Sequence, residues 1–250
     1  MNIRRHISIA LALALPLFAA GAAISKDLVV DLSSPVVRIT TGFAGTDMLL
    51  FGAKAGDGDV VVVVRGPDED PVVRRKERVL GVWINNDSVS FKGVPSYYWY
   101  ASNVPVETIL SHDEMERYQI GNEDIIIESD DDDANPAKVL AYRDALVRAK
   151  IRQGLYPTEQ GSLGFINDTL FRTNISFPSN VSVGEFAIDT YLVRDHKVVA
   201  NQTTLLNVRK FGLEATIYNF AHDQGLLHGI VAVIIACFAG WLANAAFRKG

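Results

Sequence analysis

Cysteine is almost missing from this sequence. The 250 residues include one, Cys237, and a single thiol cannot close an intrachain disulfide. This excludes the disulfide-stapled scaffolds on which small secreted domains rely. A chain of this length can bury a hydrophobic core that is stable without such bridges.

The sequence also lacks the motifs of the common catalytic and metal sites. It has no Gly-X-Ser-X-Gly elbow, no phosphate-binding glycine loop and no His-Glu-X-X-His helix. Its 5 histidines are scattered and show no ligand spacing on a helix, which disfavours zinc. We therefore predict a non-enzymatic protein with no catalytic residue and no cofactor.

Basic residues are outnumbered by acidic ones. The formal net charge is −5, and leaving out the basic residues near the two ends, Arg4, Arg5, Arg248 and Lys249, brings it to −9. Nucleic acids and anionic lipid headgroups repel such an acidic surface. The sequence thus predicts no nucleic-acid partner.

The densest acidic stretch is Asp130, Asp131, Asp132 and Asp133. Carboxylate oxygens are the ligands that Ca²⁺ prefers, so these four residues are the ones a metal would use. However, the stretch lacks the glycine and the distal glutamate of an EF-hand loop. A solvated loop whose carboxylates favour the dipole of the following helix explains it equally well, and we predict no metal site.

Charge is absent over one long stretch near the end of the chain. No residue between Asp223 and Arg248 carries a formal charge. At about 1.5 Å per residue, roughly 20 helical residues cross a ~30 Å hydrocarbon core. Arg248 and Lys249 follow at once, and basic residues favour the cytoplasmic side. We predict a transmembrane helix at 223–247 and a cytoplasmic tail at 248–250.

Small residues recur along one face of this predicted helix. Gly229, Ala232, Ala236 and Gly240 follow one another at three- and four-residue steps. Such a stripe lets the backbone of a second helix approach closely. It predicts contact with a membrane protein or with a second copy of the chain, although glycine and alanine are also common in membrane helices that have no partner.

The first residues have the pattern of a signal peptide. Arg4 and Arg5 precede an apolar stretch at 7–20, and Ala20-Gly21-Ala22 offers a cleavage site. We predict a signal peptide at 1–22, with an uncleaved anchor as the alternative. Residues 23–222 would then form an extracytoplasmic domain, and the lipid bilayer is the predicted contact of the anchor.

Short β-branched runs separated by turn signals fill most of this domain. Residues 60–64 are five consecutive valines, typical of a strand covered on both sides. Asn85-Asn86-Asp87 is predicted to be a tight turn between strands at 79–84 and 89–91. Later strands are expected at 170–177, 187–193 and 198–208. Phe186 stands near a strand start, where immunoglobulin-like sandwiches place a tyrosine.

Helical periodicity interrupts these strands at about 107–154. Asn135-Pro136 is suited to begin a helix, with asparagine as N-cap. Lys150 is assigned to the solvent face of that helix. The predicted fold is mainly β: an immunoglobulin-like β-sandwich with a helical insertion and a C-terminal transmembrane helix. Two separate small β domains are the alternative.

The densest aromatic cluster is Tyr97-Tyr98-Trp99-Tyr100. Strand alternation places Tyr98 and Tyr100 on one face and the other two residues on the opposite face. Tyr98 and Tyr100 could bind a sugar or a protein partner, because aromatic residues concentrate in binding hot spots. Core packing, or cover by the helical insertion, is the competing interpretation.

Sequence landmarks along most of the chain resemble those of one bacterial family. They are Phe51-Gly52-Ala53, Arg65-Gly66-Pro67, Arg75-Lys76, Gly81-Val82-Trp83-Ile84-Asn85, Val94-Pro95-Ser96-Tyr97-Tyr98, Gly154-Leu155-Tyr156, Leu170-Phe171-Arg172, residues 178–186, Gly240-Trp241 and Phe247-Arg248. The family comprises transmembrane proteins known mainly from alphaproteobacteria and has no established activity. The resemblance implies placement in the bacterial inner membrane. The family is associated with genomic neighbourhoods that contain sulfite-exporter-type transporters, which makes a transporter one candidate partner.

The sequence as a whole predicts a membrane-anchored periplasmic accessory or binding protein that acts beside a membrane partner. The alternative is a component of an enzyme or transport system whose active site is assembled from scattered residues.

Overall fold

A computed structural model describes residues 27–79, 82–130, 135–212, 221–222 and 224–247. For residues 77, 79, 82–86 and 245–247 it describes the backbone alone. The predicted signal peptide and the predicted cytoplasmic tail lie outside the described residues.

Strands dominate the described part of the chain. They are β1 (Leu28–Leu32), β2 (Val36–Ile39), β3 (Thr46–Lys54), β4 (Asp59–Arg65), β5 (Asp68–Glu69), β6 (Val72–Val79), β7 (Val82–Lys92), β8 (Val94–Pro95), β9 (Tyr98–Ser102), β10 (Glu128–Ser129), β11 (Gly161–Ser162), β12 (Gly164–Phe165), β13 (Leu170–Phe177), β14 (Gly184–Arg194) and β15 (Lys197–Lys210). The helices are α1 (Val106–Ile109), α2 (His112–Tyr118), α3 (Pro136–Arg152) and α4 (Gly225–Phe247). The predicted mainly β fold with a C-terminal apolar helix is confirmed.

Two sheets supply the core. One has the order β1-β3-β13-β12 and the other β11-β9-β4-β14-β15-β2. In β13, exposed and buried residues alternate strictly, as expected for a strand with one face against a core. Buried residues of both sheets, among them Leu50, Ile175, Ile188 and Leu206, belong to one hydrophobic cluster. Each sheet combines strands from before and after the helices, so the strands form one unit rather than two small domains.

The run of valines at 60–64 lies in the middle of the six-stranded sheet. β4 pairs with β9 on one side and with β14 on the other. All five valines have 0% exposure, because residues of the segment between β9 and β10, such as Val106 in α1 and Ile120 after α2, join the same hydrophobic cluster. The prediction of a strand covered on both faces is confirmed.

The outer face of the four-stranded sheet is partly exposed, unlike the two covered faces of β4. β3 is an inner strand, paired with β1 and β13, but Leu49 and Phe51 on its outer face are 37% and 44% exposed. Neighbouring Val29 and Leu170 are exposed as well. β3 therefore carries apolar residues on both faces because it is an inner strand of the sheet, although only one of these faces is buried.

Helices α1, α2 and α3 lie between β9 and β11 in the chain, where the helical insertion was predicted. Side chains cap two of them as the sequence suggests. Ser111 accepts a hydrogen bond from the Glu114 backbone N–H at 3.3 Å, and Asn135 accepts one from Ala137 at 2.9 Å. Pro136 occupies the first turn of α3, where its missing N–H costs nothing.

Two local predictions are wrong. Asn85-Asn86-Asp87 does not form a turn but lies inside β7, which pairs with β6. The register matches Arg75 with Asp87 and Lys76 with Asn85, so Asn86 is the extra residue of a β-bulge. Asn and Asp are common turn residues, and only the pairing with β6 shows that this run lies inside a strand. The second error concerns Lys150, which is 5% exposed instead of facing solvent.

Helix α4 is long and apolar enough to cross a membrane over its first 20 residues, Gly225–Asn244, and in the described part of the chain no other helix is. Its large apolar side chains are exposed, for example Val233 at 62% and Ile235 at 62%. Such a surface is stable when hydrocarbon surrounds it.

Candidate functional site

The stripe of small residues on α4 faces away from the rest of the described chain. A Cβ atom added at Gly229 or at Gly240 would meet no heavy atom within 4 Å. Ala232 and Ala236 are exposed. This face can therefore pack against lipid or against the backbone of another helix.

Tyr98, the first of the two predicted aromatic contact residues, is buried at 1% exposure. Its hydroxyl donates a hydrogen bond to the Gln119 carbonyl at 2.8 Å and accepts one from the Gly121 N–H at 2.9 Å. Its ring lies 5.8 Å from that of Tyr156, and burial raises the pKa of the hydroxyl. Tyr98 is therefore covered by the helical segment and offers no open platform, while Tyr100 beside it is half-buried.

Tyr97 points to the opposite face, into the core between the two sheets. Its ring centroid lies 5.3 Å from that of Phe177 and 5.9 Å from that of Phe186. Its hydroxyl donates to the Ser176 carbonyl at 2.8 Å. Phe186 cannot make the hydroxyl bond that a tyrosine at its position would make. Tyr97, whose ring packs against that of Phe186, makes a hydroxyl-to-backbone bond instead. This bond joins the six-stranded sheet to β13.

The acidic stretch lies mostly outside the described residues, which include Asp130 but not Asp131, Asp132 or Asp133. Asp130 forms an ion pair with Lys92, and its backbone N–H donates to the Ser90 carbonyl at 2.9 Å. Among the described residues, no group of three or more histidine, cysteine, aspartate or glutamate side chains could hold a metal ion. The first acid of the stretch therefore serves to attach the chain to β7.

The chain leaves the sandwich toward α4 from one end of the six-stranded sheet, which we call the anchor end. β15 finishes there at Lys210. β14 is antiparallel to both β15 and β4, so β4 and β15 run in the same direction and β4 also finishes at the anchor end. The segment between β4 and β9, residues 66–97, therefore leaves the sheet on the side from which the anchor is reached.

This segment contains the paired strands β6 and β7, residues 72–92, which we call the arm. Helix α3 fastens the arm near its middle and at its base. In the middle, Asp87 accepts hydrogen bonds from Lys138 at 2.6 Å and from the Tyr142 hydroxyl at 3.1 Å. The Lys138 ammonium holds the pKa of the Asp87 carboxyl below its usual value. At the base, the buried Lys150 donates to Glu69 and to the Ser96 carbonyl.

The arm exposes four basic side chains on β6. Arg74 and Arg75 lie before and opposite Asp87, and Lys76 and Arg78 lie beyond it. Arg75-Lys76 is one of the family landmarks in the sequence, but the sequence alone indicates no role for it. The signal that could have revealed the arm is a basic run bounded by Val72-Val73 and Val79-Leu80, which fits a solvent-exposed hairpin better than two separate core strands.

The search among curated proteins finds no match for this chain. The model of the family described as "Putative transmembrane protein (Alph_Pro_TM)" matches residues 27–249. The matched region includes both sheets, the helical segment, the arm and α4, which agrees with the resemblance drawn from the landmarks. The chain therefore belongs to this family of transmembrane proteins.

Proposed function

We propose that the protein is a membrane-anchored accessory protein that presents a β-sandwich beside a membrane partner, for which a transporter is one candidate. The observation that carries the proposal is the pairing of one apolar helix, whose small-residue face is uncovered by the described chain, with a sandwich built around a continuous core. Such a helix holds a domain at the bilayer and can dock on other helices. No catalytic role is proposed for any residue.

The sandwich is proposed to be immunoglobulin-like. The immunoglobulin arrangement puts the first, second, fifth and fourth strands in one sheet and the third, sixth and seventh in the other. Taking β1, β3, β4, β12, β13, β14 and β15 as these seven strands reproduces both orders. β2 adds to the edge of the second sheet by pairing parallel to β15. This correspondence supports a binding module rather than an enzyme.

The proposed orientation is single-pass in the bacterial inner membrane, with the sandwich in the periplasm. Arg248 and Lys249 immediately after α4 support it, because basic flanks stay in the cytoplasm. In a series of phosphatase and β-galactosidase fusions, we expect phosphatase activity from a fusion at Asn201 and β-galactosidase activity from one at Lys249. β-Galactosidase activity from the Asn201 fusion would contradict the orientation.

Docking through α4 is the second expected result. Gly240→Leu combined with Ala236→Leu should abolish co-purification of a membrane partner, or crosslinking between copies of the chain, because each leucine holds a second backbone away. The measurement is mass spectrometry of the complex purified in mild detergent from the native membrane.

Ile234→Leu with Phe238→Leu is the matched control. These residues lie about 200° around the helix from Ala236, so the control introduces the same two side chains on the opposite face and should leave the association intact. If the partner remains with the Gly240 and Ala236 double variant, α4 only holds the protein in the membrane. Substrate turnover by the purified full chain would support the alternative of an enzyme component.

A further inference from the structure

We infer that the arm binds the anionic surface of the bilayer in which α4 is embedded, through the basic side chains of β6. Arg74, Arg75, Lys76 and Arg78 are all exposed. Guanidinium groups match phosphate oxygens in geometry and charge. Each basic side chain brought to an anionic bilayer surface strengthens binding roughly fivefold. Strand alternation places Arg74, Lys76 and Arg78 on one face of β6, whereas Arg75 lies on the face of its register partner Asp87, toward α3. Three basic side chains on one face are enough for a contact by a domain that is already tethered.

The distribution of charge favours this orientation. Residues 74–78 hold four basic residues and one acidic residue, whereas the whole chain carries a formal charge of −5. An anionic surface attracts the arm and repels the acidic remainder, so the field turns the arm toward the lipid. The net negative charge of the whole chain disfavours contact with anionic lipid headgroups, but the arm is locally basic and is attracted to them.

The position of the arm brings it within reach of the bilayer. The segment that carries it leaves the six-stranded sheet at the anchor end, where β15 also ends. From the pair Val72 and Ser90 to the pair Val79 and Val82, the two strands extend by about 23 Å at ~3.3 Å per residue. Residues 211–224 connect β15 to α4 and span at most roughly 50 Å, which keeps the sandwich close to the membrane.

The residue types on β7, the strand that pairs with the basic strand β6, favour lipid as the binding partner of the arm. β7 begins with Val82-Trp83-Ile84, and Trp83 is the register partner of Arg78. Tryptophan is enriched at membrane interfaces, and arginine beside it reaches the headgroups. An acidic protein partner would account for the charges but gives no reason for an apolar strand beginning beside them.

Hydrogen exchange of the full chain in nanodiscs tests the inference. We expect amides of residues 72–92 to exchange more slowly in discs containing anionic phosphatidylglycerol than in discs of phosphatidylcholine alone. The protection should disappear at high salt, since salt screens exposed charges. In the triple variant Arg74→Gln, Lys76→Gln, Arg78→Gln, lipid contact should weaken on the order of 100-fold and the protection should be lost.

The matched control is Arg117→Gln, Arg172→Gln, Lys197→Gln, which removes the same number of charges from exposed positions elsewhere and should keep the protection. Equal exchange in both kinds of disc, or protection that survives in the arm variant, would overturn the inference and leave the basic strand to an acidic protein partner. The Gly240→Leu and Ala236→Leu variant should still show arm protection, so a failure of the proposed partner docking is distinguishable from a failure of lipid binding.

Discussion

Val62→Asp is expected to unfold the sandwich. Val62 has 0% exposure in the central strand β4, whose five valines are all fully buried. An aspartate there must either bury an unpaired carboxylate or bind a proton at neutral pH, and both cost several kcal/mol. Native domains are stable by only about 5–15 kcal/mol. The full chain in detergent should therefore lose its cooperative thermal transition, as followed by near-ultraviolet circular dichroism.

Val29→Asp provides the matched control, because it makes the same chemical change at a strand position that is 52% exposed. We expect a change in unfolding free energy within about 1 kcal/mol for this variant. A Val62→Asp protein with an unchanged melting temperature would show that β4 lies at an edge of the sheet and that the described core is wrong.

High pH should destabilise the protein steeply. Burial raises the pKa values of the Tyr97, Tyr98 and Tyr156 hydroxyls above their usual value. When the pKa of a group is higher in the folded state than in the unfolded state, its full contribution to folding stability is present at pH values below the unfolded pKa. As the pH rises above the unfolded pKa, the unfolded state loses its proton first and this contribution to stability is lost. With an unfolded pKa of about 10, each tyrosine lowers the free energy of unfolding at pH 11 by about 1.4 kcal/mol. The three together lower it by about 4 kcal/mol.

Urea unfolding of the full chain at pH 9 and at pH 11 measures this loss. Tyr97→Phe should reduce the difference in unfolding free energy between the two pH values by about 1.4 kcal/mol. The variant also lacks the hydrogen bond to the Ser176 carbonyl, but it lacks that bond at both pH values. Lysines titrate equally in both proteins, so the comparison isolates the tyrosine. An identical pH dependence in the variant and the parent would contradict the buried position of Tyr97.

The parts of the fold that local patterns govern were predictable. The valines at 60–64 predicted a covered strand, and residues 170–177 coincide with β13, because strand periodicity and burial depend on the same alternation of side chains. Asn135-Pro136 placed the start of α3 for similarly local reasons. The apolar anchor helix needs no tertiary information at all, since length and hydropathy define it.

The errors occur where distant residues decide the structure. Nothing near Lys150 in the sequence shows that Glu69 and the Ser96 carbonyl lie beside its ammonium group, so a lysine on a helix was assigned to solvent. Asn86 looks like part of a turn until β6 provides the register that makes it a bulge. For the arm, the basic run in the sequence indicates an exposed hairpin, but only the pairing of β4, β14 and β15 shows that this hairpin is inserted at the anchor end.

The route by which the chain reaches its anchor also determines how the protein bears tension. A pull on α4 enters the sandwich at Lys210. Where it acts along β15, it meets a strand that is 14 residues long and pairs with β14 on one side and with β2 on the other. The ladder bonds between β15 and β14 lie perpendicular to that pull, so they are loaded in shear and must break together rather than one after another. The arm, inserted between β4 and β9, lies outside this path. Strain from a moving membrane partner would thus be carried by the sheet while the arm keeps its position.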